Sequence, residues 1–259
     1  MDDQHDTAPK RPRNRGIYLL PNLFTTGALF SGFFAIIAAS QGRFEAACVA
    51  IFIAAILDGL DGRVARLTNT QSEFGVQYDS LSDLISFGMA PSLVMYHWAL
   101  SSMKLDGPTL GKLGWLAAFL YAVCAALRLA RFNTQVGVVD KRWFIGLNSP
   151  SSAGLMASFV WVCNDSGWSG EELRYLALAI TVIAALLMVS LFRYNSFKGG
   201  SGPKSDRVPF FALLIVVVVL IALAIDAPKT LLAATALYAL SGPAMWFRRR
   251  KLPVKANPT

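Results

Sequence analysis

The sequence predicts an all-α protein, a polytopic integral membrane bundle of about eight transmembrane helices. Three observations carry that prediction. The 259 residues are 54% hydrophobic and 15% charged, with a mean hydropathy of +0.47, whereas a soluble domain carries about 25% charged residues. Apolar segments recur at 17–40, 44–66, 78–100, 113–132, 149–165, 172–192, 208–226 and 229–247. Each is near the roughly 20 residues that cross a hydrocarbon core, and at that length only helices satisfy their own backbone groups in lipid. Finally, with an even number of crossings, nineteen of the 24 Lys and Arg fall on one side. The other side holds Arg43, Lys104, Lys112, Arg174 and Lys229. This positive-inside pattern puts both termini in the cytoplasm, as expected of a protein of the cytoplasmic (inner) membrane.

Along the chain, residues 1–15 form a basic cytoplasmic tail, expected to be disordered or to lie at the lipid surface. Residues 16–200 read as one membrane domain, 208–247 as an additional helix pair, and 248–259 as a second basic tail. The first apolar stretch is too long for a signal peptide and lacks a small-residue cleavage site. There is no internal repeat. The net charge of +8 follows the topology, so no nucleic-acid partner is expected. Cys48, Cys124 and Cys163 sit in apolar runs with no metal or disulfide spacing and read as small core residues. Tyr18, Trp98, Trp143, Trp161, Trp168 and Trp246 suggest an interfacial aromatic belt, with His97 interfacial beside Trp98. The Gly-rich stretch Lys198–Pro203 is a flexible loop without a P-loop pattern.

The chemistry concentrates between Asp58 and Asp83, where four aspartates interrupt an apolar stretch. Ionisable groups at membrane depth are functional-site hypotheses by default. Asp58 and Asp61 are three apart, and Asp79 and Asp83 four apart, so each pair shares a helix face. Four converging acids repel one another unless cations bridge them, and hard divalent cations prefer carboxylate oxygen. Gly62 lets a ligand approach the backbone, and Arg66, one turn on, could pair with a phosphate. The spacing therefore predicts two facing helices, a metal centre between them and an anionic substrate beside it. Solvated loop charges are the bland alternative, but a loop needs neither the glycine nor the helical phase.

The pattern D-x2-D-G-x2-A-R-x8-G-x3-D-x3-D, from Asp58 to Asp83, resembles the signature of the CDP-alcohol phosphatidyltransferase family at every fixed position. The resemblance extends less tightly over residues 16–200. It implies a six-helix core, with 208–247 added to it, that transfers a phosphatidyl group from CDP-diacylglycerol to an alcohol and releases CMP. It also implies that Asp58, Asp61, Asp79 and Asp83 hold two divalent ions, Mg2+ or Mn2+, and that Asp83 is the general base. Gly62, Arg66 and Ser72 would position the CDP group. Pro21-Asn22-x-x-Thr25 reads by itself as a helix start; the resemblance places Asn22 and Thr25 near the nucleotide. Family members are typically homodimers in the lipid bilayer.

The run Arg128-Leu-Ala-Arg131-Phe-Asn133 closes the fourth span. Its arginines could simply snorkel to the interface, or form a fork for phosphate or carboxylate. This run, Phe144-Ile-Gly-Leu-Asn-Ser-Pro150 and Phe192-Arg-Tyr-Asn-Ser-Phe-Lys198 resemble the phosphatidylserine synthase branch, although that branch commonly has Pro where this chain has Asn148. The expected acceptor is thus L-serine, with Arg128, Arg131 and Asn133 on its side of the site and Arg131 the candidate for its carboxylate. Glycerol 3-phosphate, inositol or inositol phosphate are the alternative acceptors. A transporter using intramembrane carboxylates and an inactive lipid-binding scaffold are the readings from other classes. Transporters favour paired repeats and broken helices in both halves, whereas here the acids sit in a single early block at a membrane edge.

Overall fold

The computed structural model describes residues 19–135, 143–195 and 210–250. The tail 1–15, the loop 198–203 and residues 251–259 lie outside the described residues. Among the described residues the chain is helical but for a short β-ribbon. Helix α1 (Leu19–Ser40) turns at Gly42, whose φ of +73° suits glycine, into α2 (Phe44–Thr68). Next come α3 (Glu73–Asp83), a π-helical turn (Leu84–Met89) and α4 (Ala90–Trp98), joined through right-handed helical backbone. A 3-10 helix (Leu100–Asp106) leads to α5 (Pro108–Gln135). Strand β1 (Trp143–Ile145), α6 (Ser149–Asp165), α7 (Arg174–Val189) and β2 (Arg193–Asn195) follow, then α8 (Phe210–Ile225) and α9 (Ala227–Arg250). The eight apolar segments thus each hold helix, with α3, the π-turn and α4 making up the third. The ribbon is an addition that no periodicity announced, and three residues per strand are too few to give one. It pairs antiparallel, Trp143 opposite Asn195 and Ile145 opposite Arg193.

The packing is inverted relative to a soluble protein. Ala28, Ala35, Ala38, Ala47, Ala50 and Ala54 line the seam between α1 and α2 and are almost wholly buried. Phe30, Phe33, Ile53 and Ile56 on the same helices are exposed, Phe30 by 68%. Small residues let helix backbones approach where lipid supplies no hydrophobic drive between helices, and large side chains then face the acyl chains. Two helical segments, Leu20–Ser40 and Pro108–Thr134, are long and apolar enough to cross a membrane by that criterion alone. In α8, Leu213 to Leu220 is exposed on every face, which is stable only in an apolar surround.

Two expectations change. Trp98, expected in the interfacial belt, is 7% exposed and packs edge-on against Phe159. The third helical segment begins at Glu73, ahead of the expected 78, because Ser72 caps it: the Ser72 hydroxyl accepts from the Gly75 amide at 3.0 Å. The departure at Asn148 has a similar cause. Asn148 caps α6, accepting from the Ser151 amide at 3.0 Å, and Asn is among the best capping residues.

Candidate active site

The site forms where the C-terminal end of α2 meets the starts of α1 and α3. Asp58 and Asp61 share one face of α2, and Asp79 faces them from α3. Carboxylate oxygens of Asp58, Asp61 and Asp79 lie within 4.8 Å of one another. Asp61 is 6% exposed, and the Thr25 hydroxyl of α1 donates to its Oδ2 at 2.7 Å. That bond restrains the carboxylate's rotamer. Three helices are held in register here by small polar groups. The Ser82 hydroxyl donates to the Thr25 carbonyl at 3.1 Å, and that of Ser86 to the Ala28 carbonyl at 3.0 Å.

Asp83 stands one turn beyond Asp79, outside the three-oxygen group. Its carboxylate is within electrostatic range of Asp58, of Asp79 and of Arg128 on α5. The π-helical turn starts right after it. Such turns recur at functional sites, and here the Tyr121 hydroxyl of α5 donates to the Phe87 carbonyl at 3.2 Å.

A cavity of about 270 Å³ opens beside the carboxylates. Asn22, Thr25, Asp61, Gly62, Arg66 and Ser72 are on its wall, so the structure brings together all the residues expected near the nucleotide. A Cβ on Gly62 would meet only Arg66 Nη1, at 3.8 Å. The space over that glycine is therefore cavity, and its backbone is open to a ligand. At Gly75 the packing is tighter: a Cβ would stand 3.2 Å from Ser72 Oγ. Helix α2 ends at Asn69, in the left-handed conformation with φ 51°, and this turn brings Thr70 and Gln71 to the cavity wall. Sequence reasoning missed both; the only available signal was their place between Arg66 and Ser72.

The donor set fits a hard divalent cation. All the converging atoms are carboxylate oxygens, and Asp79 Oδ1 is buried without a hydrogen-bond partner among the described residues. A buried polar atom without a partner is costly, and a cation in the group would supply one.

The expected acceptor residues divide. Arg128 Nη1 donates to Ser149 Oγ at the start of α6, at 2.6 Å, while its Nε is buried without a hydrogen-bond partner among the described residues. Arg131 donates through Nη2 to the Ile145 carbonyl at 3.0 Å and through Nη1 to that of Val189 at 3.3 Å. Asn133 donates to Ser80 Oγ at 3.0 Å, tying the end of α5 to α3 beside Asp79. Ser152, fully buried with its hydroxyl likewise lacking a partner among the described residues, was missed because one serine in a Ser-Pro-Ser-Ser run carries no signal.

Over most of its length the chain is similar to known proteins. A CDP-diacylglycerol–serine O-phosphatidyltransferase of Helicobacter pylori is 42% identical over 182 residues, 70% of this chain and 74% of the relative. One from Mycobacterium leprae is 33% identical over 226 residues, 83% of this chain and 71% of the relative. An archaetidylserine synthase of Methanothermobacter thermautotrophicus is 32% identical over 182 residues, 70% of this chain and 71% of the relative. The sequence model of the CDP-alcohol phosphatidyltransferases matches residues 18–189, which span the aspartate cluster, the cavity and both arginines. The chain belongs to the CDP-alcohol phosphatidyltransferase family.

Proposed function

We propose that this protein transfers the phosphatidyl group of CDP-diacylglycerol to L-serine, giving phosphatidylserine and CMP. The observation that carries the proposal is the convergence of Asp58, Asp61 and Asp79 beside a cavity lined by Gly62 and Arg66. Relatives named for transfer to serine, at 33% and 42% identity, support the acceptor. The family is membrane-embedded and generally uses divalent metals, and this chain is an integral membrane protein.

In this proposal Asp58, Asp61, Asp79 and Asp83 hold two ions, Mg2+ or Mn2+. Bound divalent ions would neutralise the pyrophosphate and polarise the phosphorus under attack. Thr25 orients Asp61 by its hydrogen bond. Gly62 gives the CDP group close approach to the backbone, Arg66 offers a charged fork, and Asn22 and Ser72 line the same wall. Asp83 takes the proton of the serine hydroxyl as its oxygen attacks the β-phosphorus. The bond from that phosphorus to the bridging oxygen breaks, and CMP leaves. We assign the serine carboxylate to Arg128 in preference to Arg131, because Arg128 Nε has no hydrogen-bond partner among the described residues whereas two nitrogens of Arg131 already hold carbonyls. Arg131 and Asn133 then support that wall of the site.

The proposal includes the topology. The site lies at the ends of α2 and α5 and the starts of α1, α3 and α6, while Arg43, Lys104 and Arg174 belong to turns or helix ends at the other pole. With the Lys and Arg asymmetry, this supports eight spans in the inner membrane, with the site and both termini cytoplasmic. It also keeps a core at 16–200 with a helix pair at 208–247, and a homodimer, which the mass of the solubilised protein would test.

The deciding experiment is CMP release by purified protein with CDP-diacylglycerol and Mn2+, offering L-serine, glycerol 3-phosphate, inositol and inositol phosphate in parallel. Release with serine alone, abolished by EDTA and restored by Mg2+ or Mn2+, is expected. Release with another acceptor would overturn the serine assignment, and full activity after chelation would overturn the metal centre.

A further inference from the structure

The family match ends at residue 189, and the apolar cores of α8 and α9 carry no charged side chain. Yet α9 packs against α6 and β2. Thr235 of α9 meets α6 directly: its Cγ2 would lie 3.1 Å from a Cβ on Gly154, and its hydroxyl is 3.3 Å from that of Ser158. Further along α9, Tyr194 of β2 enters a slot. The Tyr194 ring is fully buried, its hydroxyl donates to the Ala239 carbonyl at 3.0 Å, and its centroid is 5.4 Å from that of Tyr238. A Cβ on Gly242 would stand 2.3 Å from Tyr194 Cζ, so only glycine forms that wall.

The arginines of the acceptor side end on α6, which α9 packs against, and on the ribbon, whose second strand α9 touches. Strand β2 pairs with β1, where the Ile145 carbonyl holds Arg131. The next residue, Gly146, has φ +80° and is wedged between Arg131 and the Met188 carbonyl. The start of α6 carries Ser149, which holds Arg128. Tyr238 itself lies within electrostatic range of Arg128.

We propose that α9 is a working part of the acceptor side: it clamps the ribbon and α6 against α5, and Tyr194, seated against Gly242, is a positioning residue for serine and not for CDP-diacylglycerol. The proposal rests on the serine reading above. Its test compares Tyr194→Phe, which removes one hydroxyl, and Gly242→Ala, which intrudes on the ring, with Leu237→Ala, at an exposed position of the same helix. For each, kcat, KM for serine, KM for CDP-diacylglycerol and melting temperature are measured. Tyr194→Phe is expected to raise the serine KM roughly 2- to 10-fold, the range of one lost hydrogen bond. Gly242→Ala should raise it further, with KM for CDP-diacylglycerol unchanged in both and Leu237→Ala like wild type. An unchanged serine KM would overturn the proposal, as would both KM values rising together in step with a lower melting temperature. If Gly242→Ala does not fold, Tyr194→Phe decides alone. Wild-type CMP release only with a different alcohol would overturn the serine reading, and the same comparison on that alcohol's KM would still decide the clamp.

Discussion

Gly62→Ala separates the needs of the fold from those of the substrate. Gly62 lies inside α2, where glycine is less stable than alanine by roughly 0.5–1 kcal/mol. The added methyl would meet only Arg66 Nη1, at 3.8 Å, which is ordinary contact. The fold therefore gains from the change, and the melting temperature should rise by about 1–4 °C. The same methyl projects into the cavity of about 270 Å³. Overpacking a fitted site by a methyl costs about 1–3 kcal/mol, so KM for CDP-diacylglycerol should rise roughly 5- to 150-fold. Gly59→Ala is the control: it is on the same helix, nothing lies within 4 Å of its added Cβ, and it is not on the cavity wall. It should stabilise similarly and leave KM alone. The assay is CMP release against CDP-diacylglycerol concentration, paired with thermal melts in one detergent. A Gly62→Ala enzyme with wild-type KM would refute the close approach of substrate to that backbone. A destabilised one would refute the open space above it.

Other outcomes follow from the same geometry. Asp83→Asn should keep CDP-lipid binding and lose turnover by about 10²- to 10⁴-fold; near-normal kcat would remove Asp83 as the base. Thr25→Val should weaken metal activation roughly 10- to 100-fold by freeing the Asp61 carboxylate, read as a shifted Mn2+ requirement, while an unshifted requirement would show that the bond at 2.7 Å does not orient a ligand. Arg128→Lys should raise the serine KM more than the KM for CDP-diacylglycerol, since a point charge replaces a planar fork; equal KM values to wild type would return the carboxylate to Arg131. At the opposite pole, Arg174 donates to Asp106 at 2.5 and 2.7 Å, and these bonds, helped by the Tyr175 hydroxyl, hold the Asp106 carboxyl below its ordinary 3.8. Because the folded value is depressed, this contribution is complete above that ordinary value and fades as pH falls through the folded one. Asp106→Asn should therefore flatten the acid limb of the melting curve below about pH 4; an unchanged limb would show that the pair contributes nothing.

The legible part of this protein was whatever depends on local spacing. Eight apolar segments, the pairing of Asp58 with Asp61 and of Asp79 with Asp83, and the cavity face of Gly62 and Arg66 follow from helical periodicity, because a helix converts sequence distance directly into direction. The caps were not legible: Ser72 stood six residues ahead of the expected helix start at 78, and Asn148 showed only as a departure from the branch pattern. Long-range relations were decided by tertiary packing. Thr25 reaches Asp61 across 36 residues, and Arg131 lands on the Ile145 and Val189 carbonyls of elements that follow it. The sequence shows two arginines three apart at a helix end; only the packed chain separates the one whose Nε lacks a hydrogen-bond partner among the described residues from the one that holds a ribbon in place. The role of α9 was hidden for the same reason. Glycine at 242 has no meaning along its own helix, and acquires one only when the Tyr194 ring, 48 residues earlier, packs against it.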